Sequence, residues 1–273
     1  MQIGSDGSCF FRKLFLTLHY ETYRDMKNIL NIAFIAIFFV VVGCKPSEES
    51  KSNALPFEVE ERTFEFIDEG YSRVEVRYQH IVSGDNEVYA YIDEMNYAHT
   101  FGEYAVEPMN VKLVVENIAQ QFSEIARDLM MEGGCEFYSI IDQTLSGVRN
   151  NSILCIETYL ETYAGGAHPH YSLHYECYDL ATGRLYDFSY LLDGESGPSM
   201  RELIYSTILQ SHDTILFIDE EEITIPASVR VTESGLVLVY QPYEIAPFGE
   251  GIISVELSDE QIAATGAELL WTE

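Results

Sequence analysis

Two adjacent glycines, Gly165-Gly166, interrupt a long run of alternating residues and set the frame for the rest of the chain. Ser152–Tyr163 reads as one strand and Tyr171–Leu180 as its antiparallel return. Glycine reaches positive φ without steric cost, which a tight reversal requires. A lone hairpin is marginal in water, so this one needs further strands or helices to cover it. Glu136–Gly147 reads as a strand just before it. Phe57–Glu60 and Ser72–Tyr78 alternate in the manner of strands with one wet face, and Glu87–Ile92 is another strand candidate. A helix is predicted over Val111–Met131, with Leu113, Ile118, Phe122, Ile125, Ala126 and Leu129 on its apolar face and Gly133-Gly134 as its stop. A second is predicted over Pro198–Ser211, burying Met200, Leu203, Ile204 and Ile208. Ser228–Thr232, Leu236–Gln241 and Gly251–Leu257 read as closing strands. Runs of strands separated by helices, without strict βαβ alternation, predict an α+β fold: mainly antiparallel sheet, two main helices, two associated lobes.

The N-terminal region carries an address. Ile29–Val42 is a nearly unbroken apolar stretch of 14 residues preceded by Lys27. As a helix it would span about 21 Å, short of a hydrocarbon core of roughly 30 Å. That length fits the apolar part of a signal peptide. The stretch ends in Val41-Val42-Gly43-Cys44, which resembles a bacterial lipobox, so the mature chain is expected to begin at a diacylated Cys44. Residues 1–43 then form the signal region, with 26–43 the signal peptide proper and 1–25 the product of an upstream start. Residues 44–56 form a polar, lipidated tether. The expected location is the cell envelope, lipid-anchored to the outer membrane, periplasmic or surface-exposed.

Composition bears on partners. The chain carries 45 acidic and 15 basic residues, a net charge of −30, and residues 44–273 alone carry −31. So negative a surface repels phosphate backbones, which excludes nucleic-acid binding by a basic patch and favours basic protein partners. Cys155 and Cys177 lie equidistant from Gly166. A symmetric hairpin places them opposite each other, either as a disulfide in an oxidising compartment or as two buried reduced thiols. The same symmetry puts Tyr159, Tyr163, Tyr171 and Tyr175 on one side, a stripe that suits a recognition face or the wet edge of a core.

Catalytic signatures are absent: the chain contains no H-E-x-x-H, G-x-S-x-G, phosphate-binding loop or EF-hand loop. The densest constellation is Gly165-Gly166-Ala167-His168-Pro169-His170-Tyr171, with His174 beyond it. On a strand His170 and His174 lie about 13 Å apart, too far to share one ion. No metal or cofactor is therefore expected. The run Asp219-Glu220-Glu221-Glu222 reads as a solvated loop or strand edge.

The segments Tyr163–Pro169, Tyr178-Asp179-Leu180-Ala181-Thr182-Gly183 and Tyr240-Gln241-Pro242-Tyr243-Glu244-Ile245-Ala246-Pro247 resemble bacterial extracytoplasmic domains of the RsiV-like and PdaC-like type. The resemblance implies a PdaC-like α+β part over 57–184 and an RsiV-like α+β part over 185–273. It also implies binding rather than catalysis. It brings forward Gly165, Gly166, His168, His170, Tyr171, Tyr243 and Glu244 as candidate ligand or motif residues. The expected function is a non-enzymatic, lipid-anchored envelope protein that binds a protein or peptidoglycan-related ligand, with lysozyme as one such protein. The alternative is a cell-wall-modifying hydrolase using His168 or His170.

Overall fold

Alternation in the sequence becomes two sheets in the computed structural model, which describes residues 55–130, 137–211 and 215–271. The lipobox with Cys44, most of the tether, Gly133-Gly134 and Cys135 lie outside the described residues. The first sheet contains β1 (Glu58–Asp68), β2 (Ser72–Val82), β3 (Phe137–Val148), β4 (Ile153–Tyr163) and β5 (His170–Asp179), in that spatial order. The second contains β6 (Ser228–Thr232), β7 (Gly235–Tyr240) and β8 (Ile253–Ser258). All neighbours are antiparallel except β2 and β3, which are parallel. A parallel pair cannot be joined by a tight turn. Here the crossover carries two helices, α1 (Glu87–Phe101) and α2 (Val111–Met130). Helix α3 (Gly197–Ser211) precedes the second sheet and the short α4 (Asp259–Ala264) follows it. The molecule is an α+β protein, and no helix among the described residues is long and apolar enough to cross a membrane.

Helix α1 corrects the strand expected over Glu87–Ile92. The Asn86 side chain accepts from Val88 N at 2.9 Å and Tyr89 N at 3.1 Å, an N-cap that starts a helix at Glu87. Ile92, Asp93, Asn96, Tyr97 and Phe101 are then buried at helical spacing. The apparent alternation of Val88, Ala90 and Ile92 was a short sample of that period. Helix α2 forms where expected, but its face is rotated: Val111, Val114, Val115, Ile118, Ala119 and Ala126 are buried, while Leu113 and Leu129 are exposed. β-Branched Val114 and Val115 outcompete the two leucines because they face Val74, Val76 and Tyr78 on β2. Leu55, expected in the tether, packs instead beside Phe57 against the core around Ile81 and Ile92.

One face of the first sheet is thus covered by α1 and α2 over β1–β3 and part of β4, leaving His170 and His174 of β5 exposed. The β2–β3 ladder stops at Arg77 opposite Asp142, and side chains continue it. Gln79 N donates to Gln143 Oε1 at 3.2 Å, and Leu145 N donates to Gln79 Oε1 at 2.7 Å. Gln143 Nε2 reaches Asn96 Oδ1 on α1 at 2.7 Å. Backbone groups freed by the splay therefore keep partners, as buried amides must. The opposite face of β4 and β5 packs most closely on the second sheet at one end. There Ile153, Cys155 and Cys177 share a core with Val229, Val231, Leu236 and Leu238, closed from beyond by Met200, Ile204 and Ile208 of α3.

Candidate functional site

Beyond that core the face is partly covered, by Arg230 over Tyr175 and Phe248 against Tyr171, and its side chains are partly exposed. In β4 the sequence Glu157-Thr158-Tyr159-Leu160-Glu161-Thr162-Tyr163 sends Leu160 and both threonines toward the helices. Glu157, Tyr159, Glu161 and Tyr163 point the other way, by strand alternation. The β4–β5 register pairs Glu161 with Tyr171 and Glu157 with Tyr175, and β3 adds Tyr138 opposite Tyr163. Five tyrosines and two glutamates from three adjacent strands therefore share one half-exposed surface. The Tyr138 and Tyr163 rings lie 5.8 Å apart.

Hydrogen bonds hold this surface in one arrangement. Tyr138 Oη donates to Glu161 Oε1 at 2.6 Å, and Tyr159 Oη donates to Glu161 Oε2 at 2.5 Å. Tyr175 Oη donates to Glu157 Oε2 at 2.5 Å. The two phenols hold the Glu161 carboxyl below the usual carboxylate range. Desolvation, reinforced by the bond to Glu161, pushes the Tyr159 phenol up to about 12. Arg73 lies over the Tyr138 ring at 5.9 Å and Arg230 over the Tyr175 ring at 5.7 Å. The surface is thus an ordered aromatic sheet with fixed negative charge and cations stacked at its margins.

At the hairpin turn Gly165 and Gly166 take φ of 86° and 107°, so the expected positive φ is present. The loop after β7 folds onto this turn. Phe248 stacks on His168 at 3.7 Å, meets Tyr171 edge-on at 5.4 Å and lies 5.5 Å from Tyr243. Tyr243 is 57% exposed and adopts φ of 69°, a left-handed conformation that a tyrosine rarely takes. Such strain persists only where its surroundings impose it. Here the turn Gln241–Glu244 imposes it, closed by Glu244 N donating to Gln241 O at 3.0 Å, while the Gln241 side chain reaches back to β5: Leu173 N donates to Gln241 Oε1 at 3.0 Å, and Gln241 Nε2 donates to Leu173 O at 2.8 Å.

The structure gathers some of the residues singled out from the sequence and separates others. His168, Tyr171 and Tyr243 meet around Phe248, whereas Gly165 lies beside Phe137 and Gly166 has open space on its side-chain side. His170 and His174 lie on the opposite face of β5 from Tyr171 and Tyr175 by alternation; the His170 ring still meets the His168 ring edge-on at 5.8 Å, and His174 Nε2 lies 2.9 Å from Ser172 Oγ. Among the described residues no group of three His, Cys, Asp or Glu side chains is placed to hold a metal ion. Glu244 is structural: its carboxylate accepts from Gln241 N at 2.7 Å. Asp179 is likewise a turn-former, accepting from Ala181 N, Thr182 N and Thr182 Oγ1 at 2.8–3.0 Å. The acidic run at 220–222 forms a single helical turn that Asp219 caps. Cys155 and Cys177 are direct cross-strand partners, both buried, with Sγ atoms 2.9 Å apart. Sequence reasoning missed Tyr138, Phe248, Glu157 and Glu161. The doubled Glu-Thr-Tyr of β4 was the available signal for the glutamates.

A five-stranded sheet with a two-helix crossover, joined to a three-stranded sheet, is an arrangement shared with two crystal structures. A member of the DUF3298 family (BF2082) from Bacteroides fragilis NCTC 9343 superposes with a TM-score of 0.64 at 16% identity, covering 77% of this chain and 94% of that one. A DUF3298 family protein (PA4972) from Pseudomonas aeruginosa PAO1 gives 0.51 at 14% identity, covering 76% and 93%. At such identities the likeness is one of fold. The second half of the chain carries the sequence match: residues 200–260, from α3 through β8, match the family described as "Protein of unknown function (DUF3298)". Comparison with curated protein sequences gave no match.

Proposed function

We propose that this chain is a non-enzymatic, lipid-anchored cell-envelope protein that binds a cationic protein ligand on the partly exposed tyrosine face of its larger sheet. The observation that carries this reading is the surface of Tyr138, Tyr159, Tyr163, Tyr171 and Tyr175, in which Glu161 holds Tyr138 and Tyr159, Glu157 holds Tyr175 and the Gly166 carbonyl holds Tyr163. Its phenols are already oriented, so little side-chain freedom remains to be lost on binding. The net charge of −30 steers basic partners toward the domain over a range that salt shortens. The envelope location rests on the lipobox-like Val41-Val42-Gly43-Cys44, and the binding role on the RsiV-like and PdaC-like resemblance. The His168 and His170 rings lie 5.8 Å apart, but His168 stacks on Phe248 and no ion pair joins either to a carboxylate among the described residues, so the hydrolase alternative gains no support.

A basic lysozyme at physiological ionic strength is the probe. We expect measurable binding, weakened at least about tenfold, or 1.4 kcal/mol, in the variant Glu157→Gln/Glu161→Gln. Equal binding by variant and wild type would remove the tyrosine face from the interface. No binding by either would remove lysozyme as the ligand.

A further inference from the structure

We propose that Cys155 and Cys177 are joined by a disulfide in the mature protein, fastening the hairpin that displays the tyrosine face. The position in the ladder is the first reason. Odd-numbered residues of β5 turn their backbone groups away from β4: Leu173 N and O bond Gln241, Tyr175 N bonds Ser228 Oγ, Cys177 O accepts from Tyr186 N, and Asp179 N donates to Arg184 O. Cys177 and its partner Cys155 therefore occupy a non-hydrogen-bonded pair, the site where opposed side chains come closest. Opposed Cα atoms at such a site lie about 4.5 Å apart, within the range of about 4.4–6.8 Å that disulfides span. The Sγ atoms are already 2.9 Å apart and need no change of register to bond.

Surroundings supply the second reason. Both cysteines are 1% exposed, covered by β6, and burial pushes the Cys177 thiol up. Their sulfurs lie 3.4 Å from Val231 O and 3.5 Å from Val229 O, while Val231 N donates to Cys177 Sγ at 3.3 Å. The bond from Val231 N survives oxidation, and only two weak S–H donors are given up. An oxidant cannot reach sulfurs so covered, so the bond closes on the hairpin before β6–β8 dock. The oxidant is an oxidised dithiol protein. The Cys155 thiolate attacks one of its disulfide sulfurs and displaces the other as thiolate. The Cys177 thiolate then attacks Cys155 Sγ in the mixed disulfide, which forms the Cys155–Cys177 bond and releases the oxidant as a dithiol. The two protons lost by the cysteines end on that dithiol, and the two electrons go with them.

This inference rests on the envelope location only for its oxidant, and its test does not involve the lysozyme assay. Full-length protein from cells quenched with N-ethylmaleimide under denaturing conditions, which expose both sulfurs, is digested and mapped by mass. The expected result is an unlabelled peptide pair containing Cys155 and Cys177, two hydrogens lighter than the separate peptides and split only by reductant. Labelling of both cysteines before reduction, or a link from either to Cys135, would overturn the proposal. Reduction is also expected to lower the melting temperature of wild type by an amount on the order of 10 °C, and to leave Cys155→Ala/Cys177→Ala unmoved. An equal response in both proteins would count against it.

Discussion

Glu161 shows how one side chain can organise a surface. Without its two phenol donors it would be an ordinary half-exposed glutamate on a strand; with them it fixes Tyr138 on β3 and Tyr159 beside it. Because the folded pKa is lowered, the stabilisation is complete above the unfolded value near about 4.3 and is lost as pH falls through the folded value. In Tyr138→Phe/Tyr159→Phe the Glu161 pKa should return toward the ordinary range, as a carboxylate-resolved NMR titration would read. Urea unfolding at stepped pH should then show wild type losing more stability on acidification than the variant, the difference shrinking as pH falls through the lowered folded value. Parallel curves would show that the bonds do not form in solution. Tyr243 makes the opposite point: its left-handed backbone places an exposed ring beside Phe248, a conformation that no spacing rule foretells.

At the scale of elements, β5 depends on a side chain from the other sheet. In Gln241→Ala the outward N–H and C=O of Leu173 lose their partners, and we expect a loss of about 1–2 kcal/mol with faster amide exchange at Leu173. Unchanged exchange there would mean that water replaces the amide at no cost. The hairpin itself was legible in the sequence, since symmetry about Gly166 sets a register that the structure reproduces from Cys155 opposite Cys177 to Thr162 opposite His170. The tyrosine stripe followed from that register. Helix α1 was not legible, because six residues of apparent alternation fit a strand and the capping role of Asn86 was overlooked. Nor was the face of α2: Leu113 carries more apolar area than Val114, but only contact with β2 decides which of them turns inward. Phe248 escaped notice because stacking on His168 is made by residues 80 positions apart, beyond the reach of any local pattern.

At the scale of the whole molecule, the two sheets are tied at the turn between β3 and β4. Arg149 donates from Nη1 and Nη2 to the two carboxylate oxygens of Asp259 at 2.7 and 2.8 Å, its guanidinium 5.7 Å from the Trp271 ring. Both partners are mostly shielded from water, so the pair exceeds an ordinary surface bridge. Arg149→Ala should cost about 2 kcal/mol, and Arg149→Lys should recover less than half, because an ammonium cannot make the forked contact. A shift in the urea midpoint at constant slope would register it, and full recovery by lysine would reduce the contact to simple charge. The covering of β5 by Gln241 and Ser228 also bears on how such a protein can be divided. A chain cut after Asp179 would keep every strand of the larger sheet yet present a bare, straight edge at β5, rich in β-formers. Its expected fate is strand-to-strand polymerisation, so the two halves are viable only when inherited together.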